Sequence, residues 1–242
     1  MKEWVVRQSG ENAVLIELGS VMSEEISGRV QAVADHIHGH VPDVMDVIPG
    51  YTTVLVMLRP GSEDQPWDQV TADALSAGQR MPGSSRHITI PVLYGGEYGP
   101  DLLEVASQRH MDGADVVAVH SQQDYRVHCL GFSPGFPFLG ELDPSIQCPR
   151  RSSPRRMVPA GSVGIAERQT GIYAVASPGG WQIIGRTPLR LFRPEATPPI
   201  VYQPRDRIRF QPIDEPTYQA ILEDETVQTG HWPEWIWTGG VK

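Results

Sequence analysis

In the first third of the chain, segments with a strand-like pattern of hydrophobic and polar positions alternate with segments of helical spacing. Four runs rich in β-branched and aliphatic residues predict strands: 13–18, 44–49, 53–58 and 87–93. Apolar residues at helical spacing predict one helix from a Ser23 cap to about His40 and a second over about 67–77. The order β-α-β-β-α-β is typical of a ferredoxin-like α/β domain, to which residues 4–7 add an edge strand.

The pattern changes in the second half of the chain. A loop over 91–100 leads into a helix from Asp101 to about His110, and a short helix is predicted at 216–223. Six short β-type runs lie between turn signals: 125–130, 162–166, 172–176, 181–184, 189–192 and 207–211. Strands with this spacing predict a closed barrel or a compact sandwich rather than a parallel sheet.

The segment 81–85 has the composition of a linker. We therefore expect an α+β protein with two domains, an N-terminal α/β domain over 1–84 and a β-barrel domain over 85–242. The length of 242 residues is ample for two small cores.

Composition narrows the function. The net charge of -9 argues against a generic nucleic-acid binder. No apolar run approaches the roughly 18 residues of a membrane helix, and the N-terminus lacks a secretory pattern. The two cysteines, Cys129 and Cys148, form neither a disulfide framework nor a Cys-x-x-Cys pair. These features predict a cytoplasmic protein with no nucleic-acid or membrane partner.

Positive charge comes almost entirely from arginine, because lysine occurs only at Lys2 and Lys242. The interior therefore lacks a lysine for a Schiff base or a P-loop, and any bound phosphate must be held by Arg, backbone N–H groups or a metal. Residues 128–193 carry eight Arg against three acids, whereas residues 1–80 carry five basic and twelve acidic side chains. The sequence thus has an acidic front and a basic middle.

The basic middle is also rich in glycine and proline. Three stretches combine open backbone with Arg, Ser or Thr: 128–140, 149–164 and 177–188. Glycine lets main-chain N–H groups approach a ligand and Arg supplies a two-pronged charge, so these stretches predict a concave site for a small anion. The alternative is structural, with Gly and Pro turning corners and Phe132, Phe136 and Phe138 filling the barrel.

The other motifs give weaker evidence for a function. The Gly-x-Ser-x-Gly pattern at 131–135 is not a serine-hydrolase elbow, because Pro134 follows Ser133 and has no N–H for an oxyanion hole. His128 is a candidate general acid or base, with a packed strand histidine as the alternative. The alternating histidines over 36–40 diverge on a helix, so no metal site is predicted.

Four motifs together resemble the KipI-like, allophanate-hydrolase-subunit-1 family. They are Gly-Phe-Ser-Pro-Gly-Phe-Pro-Phe-Leu-Gly at 131–140, Val-Pro-Ala-Gly-Ser-Val-Gly-Ile-Ala at 158–166, Gln-Thr-Gly-Ile-Tyr at 169–173 and Ser-Pro-Gly-Gly-Trp-Gln-Ile-Ile-Gly-Arg-Thr-Pro at 177–188. The resemblance covers essentially the whole chain. It implies an N-terminal ferredoxin-like α/β domain followed by a cyclophilin-like β-barrel.

The resemblance also implies an activity, since bacterial members of the family include the B subunit of an ATP-dependent 5-oxoprolinase. Such a subunit is not expected to be active alone. It pairs with a cyclophilin-like C subunit of the KipA or allophanate-hydrolase-subunit-2 type and works with an A subunit of the LamB/YcsF type. The assembly opens 5-oxoproline to L-glutamate with ATP hydrolysis. The alternative is an inhibitor of a sporulation-type sensor histidine kinase; peptidyl-prolyl isomerisation rests on analogy of fold alone.

The resemblance selects residues for the site. The motif glycines are Gly131, Gly135, Gly161, Gly164, Gly179, Gly180 and Gly185. Arg155 and Arg186 are expected to bind the anion, with Ser162 and Thr187 as hydrogen-bond donors. A further set is expected to form loops or an interface: Phe132, Pro134, Gly135, Phe136 and Trp181.

Overall fold

The computed structural model describes residues 3–62, 65–78, 86–233 and 237–238. The chain forms two compact units, residues 1–83 and 84–242. The expected linker at 81–85 lies outside the described residues.

The first unit is a four-stranded antiparallel sheet with two helices. In chain order its elements are β1 (Val5–Gln8), β2 (Ala13–Glu17), α1 (Glu24–His40), β3 (Val44–Pro49), β4 (Thr53–Leu58) and α2 (Trp67–Gly78). The strand order is β1-β2-β4-β3. Helix α1 begins where predicted, because the Ser23 side chain accepts a hydrogen bond from the Ile26 N–H at 3.2 Å. Its buried face, including Val33 and Ile37, packs against Ile16 and Val54 of the sheet.

One strand lies in a different sheet from the one expected. The run at 87–93 is not the last strand of the first unit but β5 (His87–Tyr94), a strand of the second unit, and β1 occupies the edge beside β2. A local apolar pattern fixes that Ile88, Ile90 and Val92 are buried but not which sheet buries them. The ferredoxin-like assignment of the first unit stays a prediction.

The second unit is built around a closed barrel of seven strands. After β5 its strands are β6 (Asp124–Leu130), β7 (Pro137–Gly140), β8 (Arg155–Val158), β9 (Ser162–Ala166), β10 (Gln169–Ile172), β11 (Ser177–Gly179), β12 (Gln182–Arg186), β13 (Arg207–Pro212) and β14 (Trp237–Thr238). The ring runs β12-β9-β10-β7-β6-β13-β5 and closes from β5 back to β12. Only the β13–β5 pair in this ring is parallel.

The remaining elements decorate the ring. They are α3 (Leu102–Gln108), α4 (Gly113–Gln122), a 3-10 turn (Pro144–Ile146), α5 (Glu215–Glu223) and α6 (Glu225–Gln228). Strands β8 and β11 form a separate two-stranded ribbon, and β14 pairs with β5. Within the described part of the chain, none of the helices combines the length and the apolar character needed to cross a membrane.

The expected barrel is present, although two of its strands differ from prediction. Strand β10 ends at Ile172, where a strand over 172–176 was expected to begin, and 189–192 contributes only an isolated bridge from Phe192 to Ile200. Both segments are rich in buried residues, including Tyr173 and Leu191, so burial without strand pairing explains their β-like pattern. The predictions for β6, β9 and β13 are confirmed, whereas α4 was not predicted. The likeness to cyclophilin stays a prediction.

Candidate functional site

A short segment between β5 and α3 lies directly against β12. The backbone N–H of Asp101 donates to the Ile183 carbonyl at 2.9 Å, and that of Gly95 donates to the Ile184 carbonyl at 3.0 Å. A Cβ on Gly99 would collide with the same Ile184 carbonyl, so only glycine allows this approach. The main chain thereby fixes residues 98–101, which we call the 98–101 segment, along the strand that carries Arg186.

At one end of this segment a buried carboxylate collects four donors. Asp101 accepts hydrogen bonds from Arg155 Nη1 at 2.7 Å and Nη2 at 2.8 Å, and from Arg151 Nη1 at 2.7 Å. The backbone N–H of Ile183 donates to it at 2.6 Å. The Asp101 side chain is only 4% exposed, so these donors replace the water that it lost on folding. We call this group the Asp101 cluster.

The Asp101 cluster changes the picture of Arg155. Both terminal nitrogens of the predicted anion ligand already bond one carboxylate, and that contact raises the pKa of Arg155. Nothing in the local sequence marks Asp101, because its arginine partners are 50 and 54 residues away. With two guanidinium groups and one carboxylate, the Asp101 cluster keeps a formal charge of +1.

At the other end of the segment Arg186 lies over an aromatic ring. Its guanidinium carbon is 5.5 Å from the centroid of the Tyr98 ring, a cation–π arrangement. The Tyr98 ring packs at 4.8 Å on Tyr218, and the Tyr98 hydroxyl accepts from Gln219 at 3.3 Å. The Nε of Arg186 is buried and has no hydrogen-bond partner within the described ranges. Arg186 is therefore held from one side while one donor remains unused.

The predicted polar residues Ser162 and Thr187 lie next to Arg186. Ser162 is opposite Arg186 in the β9–β12 register, and its hydroxyl is buried without a hydrogen-bond partner in the described part of the chain. The Thr187 N–H donates to the Gly161 carbonyl at 2.9 Å. Gly161 has a φ of +81°, and a Cβ there would collide with the Thr187 carbonyl. These four predicted residues form one group, which we call the Arg186 site.

The other predicted glycines serve close packing. A Cβ on Gly164 would lie 3.2 Å from Trp181 and Ile183 side-chain atoms, and one on Gly185 would lie 2.6 Å from Val92. A Cβ on Gly179 would collide with the Tyr173 ring. Gly180 has more room, with Pro154 at 3.6 Å. These contacts are in the barrel wall and the β8–β11 ribbon, and they give each crowded glycine a packing reason.

The predicted interface residues divide into buried and exposed groups. Phe136 and Trp181 are core residues whose rings lie 5.3 Å apart, and the buried Gly135 accepts from the Tyr202 hydroxyl at 2.5 Å. Pro134 is exposed, and Phe132 is 66% exposed with a φ of +65°. Of this set, the 132–134 turn is the part that a partner can reach.

His128, the candidate acid or base, lies within β6 and is 2% exposed. It occupies an irregularity in the β6–β7 register between Val127 and Cys129. Its chemical role stays a prediction.

Two concave surfaces lie away from both arginines. A cavity of about 380 Å³ in the first unit lies between α1 and β3, and one of about 210 Å³ on the barrel includes His87, Asp124 and Arg209. Neither is lined by Arg155 or Arg186. Among the described residues, no group of three or more His, Cys, Asp or Glu side chains is placed to hold a metal ion.

The combination of units defines a carboxyltransferase-type architecture. The urea carboxylase of Kluyveromyces lactis matches with a TM-score of 0.76 over 93% of this chain and 23% of its own, at 21% identity, which shows the shared fold. A family model for the carboxyltransferase domain, subdomain C and D, matches residues 4–202. The chain belongs to this family.

Two further relatives are similar over most of this chain. The B subunit of 5-oxoprolinase from Bacillus subtilis (strain 168) is 39% identical over 232 residues, which cover 90% of this chain and 97% of that protein. TTHA0988 is 35% identical to this chain in sequence, and its crystal structure matches 88% of this chain with a TM-score of 0.69. This chain spans only 41% of the length of TTHA0988. The finer family name, KipI-like or allophanate hydrolase subunit 1, stays a prediction.

Proposed function

We propose that this chain is the B subunit of a 5-oxoprolinase, a multi-subunit enzyme that opens 5-oxoproline to L-glutamate with hydrolysis of ATP. The observation that carries the proposal is the match to the Bacillus subtilis 5-oxoprolinase B subunit over 97% of its length. The chain acts as part of the complex and not alone. The partners that we assign to it are a C subunit of the KipA or allophanate-hydrolase-subunit-2 type and an A subunit of the LamB/YcsF type.

The chemistry explains why arginine and backbone donors suit such a role. A five-membered lactam is a poor electrophile because amide resonance stabilises its carbonyl, and coupling to ATP provides a leaving group at that oxygen. Negative charge then develops on the reacting atoms, and preorganised N–H donors stabilise it. The interior of this chain has no lysine, so its arginines are the fixed cations for this purpose.

Within this proposal Arg186 binds the anion, whereas Arg155 holds Asp101, whose carboxylate is bonded to the Ile183 N–H of β12. Arg155 has both terminal nitrogens on Asp101, whereas Arg186 has an unused Nε and no carboxylate partner among the described residues. The buried hydroxyl of Ser162 opposite Arg186 is a second donor without a partner there. A substrate carboxylate or phosphoryl oxygen is the natural acceptor for such donors.

The experiment is reconstitution. We expect ATP-dependent release of glutamate from 5-oxoproline when this chain is co-purified with its partner homologues of the LamB/YcsF type and the KipA type. Omitting this chain should abolish the release, and full activity of the two partners without it would rule the proposal out. A stoichiometric excess of the chain added to a sensor histidine kinase tests the regulatory alternative. That alternative stays a prediction, as does the cytoplasmic location.

A further inference from the structure

A buried polar chain crosses the core of the barrel and joins four elements. The Tyr94 hydroxyl on β5 lies 2.8 Å from Nδ1 of His120 on α4. Nε2 of His120 lies 2.9 Å from Oγ1 of Thr170 on β10, and that hydroxyl donates to the Gly164 carbonyl on β9 at 3.1 Å. None of these side chains belongs to the Arg186 site.

His120 is the centre of this chain and has no contact with water. It is 0% exposed, its ring stacks on Phe210 at a centroid distance of 4.6 Å, and its carbonyl accepts from the Tyr125 hydroxyl at 2.9 Å. Burial lowers the pKa of His120 to about 3. The imidazole is therefore neutral at neutral pH, with one donor and one acceptor nitrogen.

With the Thr170 hydroxyl donating to the Gly164 carbonyl, the other hydrogen bonds of the polar chain run in one direction. The single Thr170 hydroxyl proton goes to the Gly164 carbonyl, so Oγ1 of Thr170 must accept from Nε2–H of His120. Nδ1 of His120 then carries no proton and accepts from the Tyr94 hydroxyl. Every member is satisfied, and a fully satisfied network in a low-dielectric core is rigid and intolerant of losing a member.

Both ends of this polar chain reach the strands that flank Arg186. Tyr94 is opposite Gly185, the residue before Arg186 on β12. Gly164 is two residues along β9 from Ser162, which is opposite Arg186. His120 thus connects the strand on one side of Arg186 with the strand on the other side.

We propose that His120 is a positioning residue for the Arg186 site, acting through Tyr94 and Thr170 to fix the two strands between which Arg186 lies. This inference rests on the proposed function, because it takes the Arg186 site as the place where this protein meets its substrate. In enzymes, small displacements of a binding group reduce activity strongly.

The test compares two tyrosines that contact the same histidine. Tyr94→Phe removes the hydroxyl at the end of the polar chain, and Tyr125→Phe removes a buried hydroxyl that donates to the His120 carbonyl and lies outside the polar chain. In the reconstituted complex we expect Tyr94→Phe to raise KM for 5-oxoproline about fivefold, the size expected for one hydrogen bond. Tyr125→Phe should lower Tm as much as Tyr94→Phe does, yet leave KM within about twofold of the wild-type value.

A second pair keeps the inference testable if Tyr94→Phe does not fold. Thr170→Val removes the hydroxyl and should raise KM, whereas Thr170→Ser retains the hydroxyl and should restore the wild-type KM. Equal KM values for Tyr94→Phe and Tyr125→Phe, or for Thr170→Val and Thr170→Ser, would overturn the positioning role. If omission of the wild-type chain leaves full activity, the proposed function fails instead, so the two failures are distinguishable.

Discussion

Asp101 and Arg155 form a two-pronged ion pair, with both terminal nitrogens of the guanidinium within 2.8 Å of the two carboxylate oxygens. The pair joins the start of α3 to the first residue of β8, and the Ile183 N–H ties the same carboxylate to β12. A single buried side chain therefore connects three parts of the second unit that are far apart in sequence. Arg155 is oriented by this pair rather than left open to ligands.

Asp101→Asn is expected to destabilise the second unit by about 3–5 kcal/mol, because two guanidinium groups lose their buried counter-ion. The free energy of unfolding in urea measures the effect. The matched control is Glu195→Gln, which breaks an Arg190–Glu195 pair whose side chains are 51% and 57% exposed. That control should change stability by no more than about 1 kcal/mol, and equal losses would contradict the role given to Asp101.

Arg186→Ala is expected to lower kcat/KM of the reconstituted complex while the chain stays folded. The decrease should correspond to a loss of about 1–3 kcal/mol of transition-state stabilisation. The reason is the loss of a charged donor to an anionic substrate oxygen. Glutamate release at varied 5-oxoproline concentration measures it, with circular dichroism as the check on folding. Arg190→Ala, which removes an exposed paired guanidinium, is the control. Unchanged activity in Arg186→Ala would assign this arginine a structural role only.

Gly161→Ala should lower the free energy of unfolding by about 3 kcal/mol or more. The new Cβ would collide with the Thr187 carbonyl, and the backbone has a positive φ at this position. Gly10→Ala isolates the second of these causes. Gly10 has a φ of +74° and no atom within 4 Å of the built Cβ, so its cost should be about 1–2 kcal/mol. Thermal unfolding of both variants measures the difference, which should vanish if the crowding at Gly161 is not real.

Stability should fall as the pH is lowered from about 6.5 toward 3, partly because of His120. Its pKa is lowered by burial to about 3 in the folded state, so in this window the unfolded state binds the extra proton. The slope from this one group approaches about 1.4 kcal/mol per pH unit. Urea unfolding at pH 7 and pH 5 measures it, and His120→Gln should show a shallower dependence than the wild type. Identical slopes would show that His120 titrates normally.

The two cysteines should resist alkylation in the folded protein. Burial raises the pKa of both Cys129 and Cys148 to about 12, so the reactive thiolate is scarce at neutral pH. Mass spectrometry after iodoacetamide treatment should find no label without denaturant and two labels in urea. Rapid labelling of either thiol in the native protein would contradict this prediction.

The sequence predicted elements well where a period was local and poorly where a partner was distant. The cap at Ser23 and the strands β6 and β9 follow from nearby residues, and each formed where expected. Helix α4 was missed because its β-branched residues and its buried His120 do not give a clear helical stripe. The sheet that receives β5 depends on β13, more than a hundred residues later, and no local pattern carries that information.

The candidate site shows the same limit. Arg186, Ser162 and Thr187 were selected from motifs and lie together, because the motifs are on paired strands. Asp101 and Tyr98 were not selected as site residues, since Asp101 was predicted only as the start of a helix and Tyr98 lies in the predicted loop over 91–100. Contacts between segments 50 or more residues apart can be found only once the ring is assembled.

Strand β13 lies beyond residue 202, where the family match ends, yet it fills the place between β6 and β5. A fragment trimmed at that boundary would leave two neighbouring strands with bare backbone edges and would lose the buried Ile208 and Phe210. Such a fragment is expected to aggregate rather than to fold. An expression boundary for this chain therefore needs to extend past residue 202 to include β13, the strand between β6 and β5.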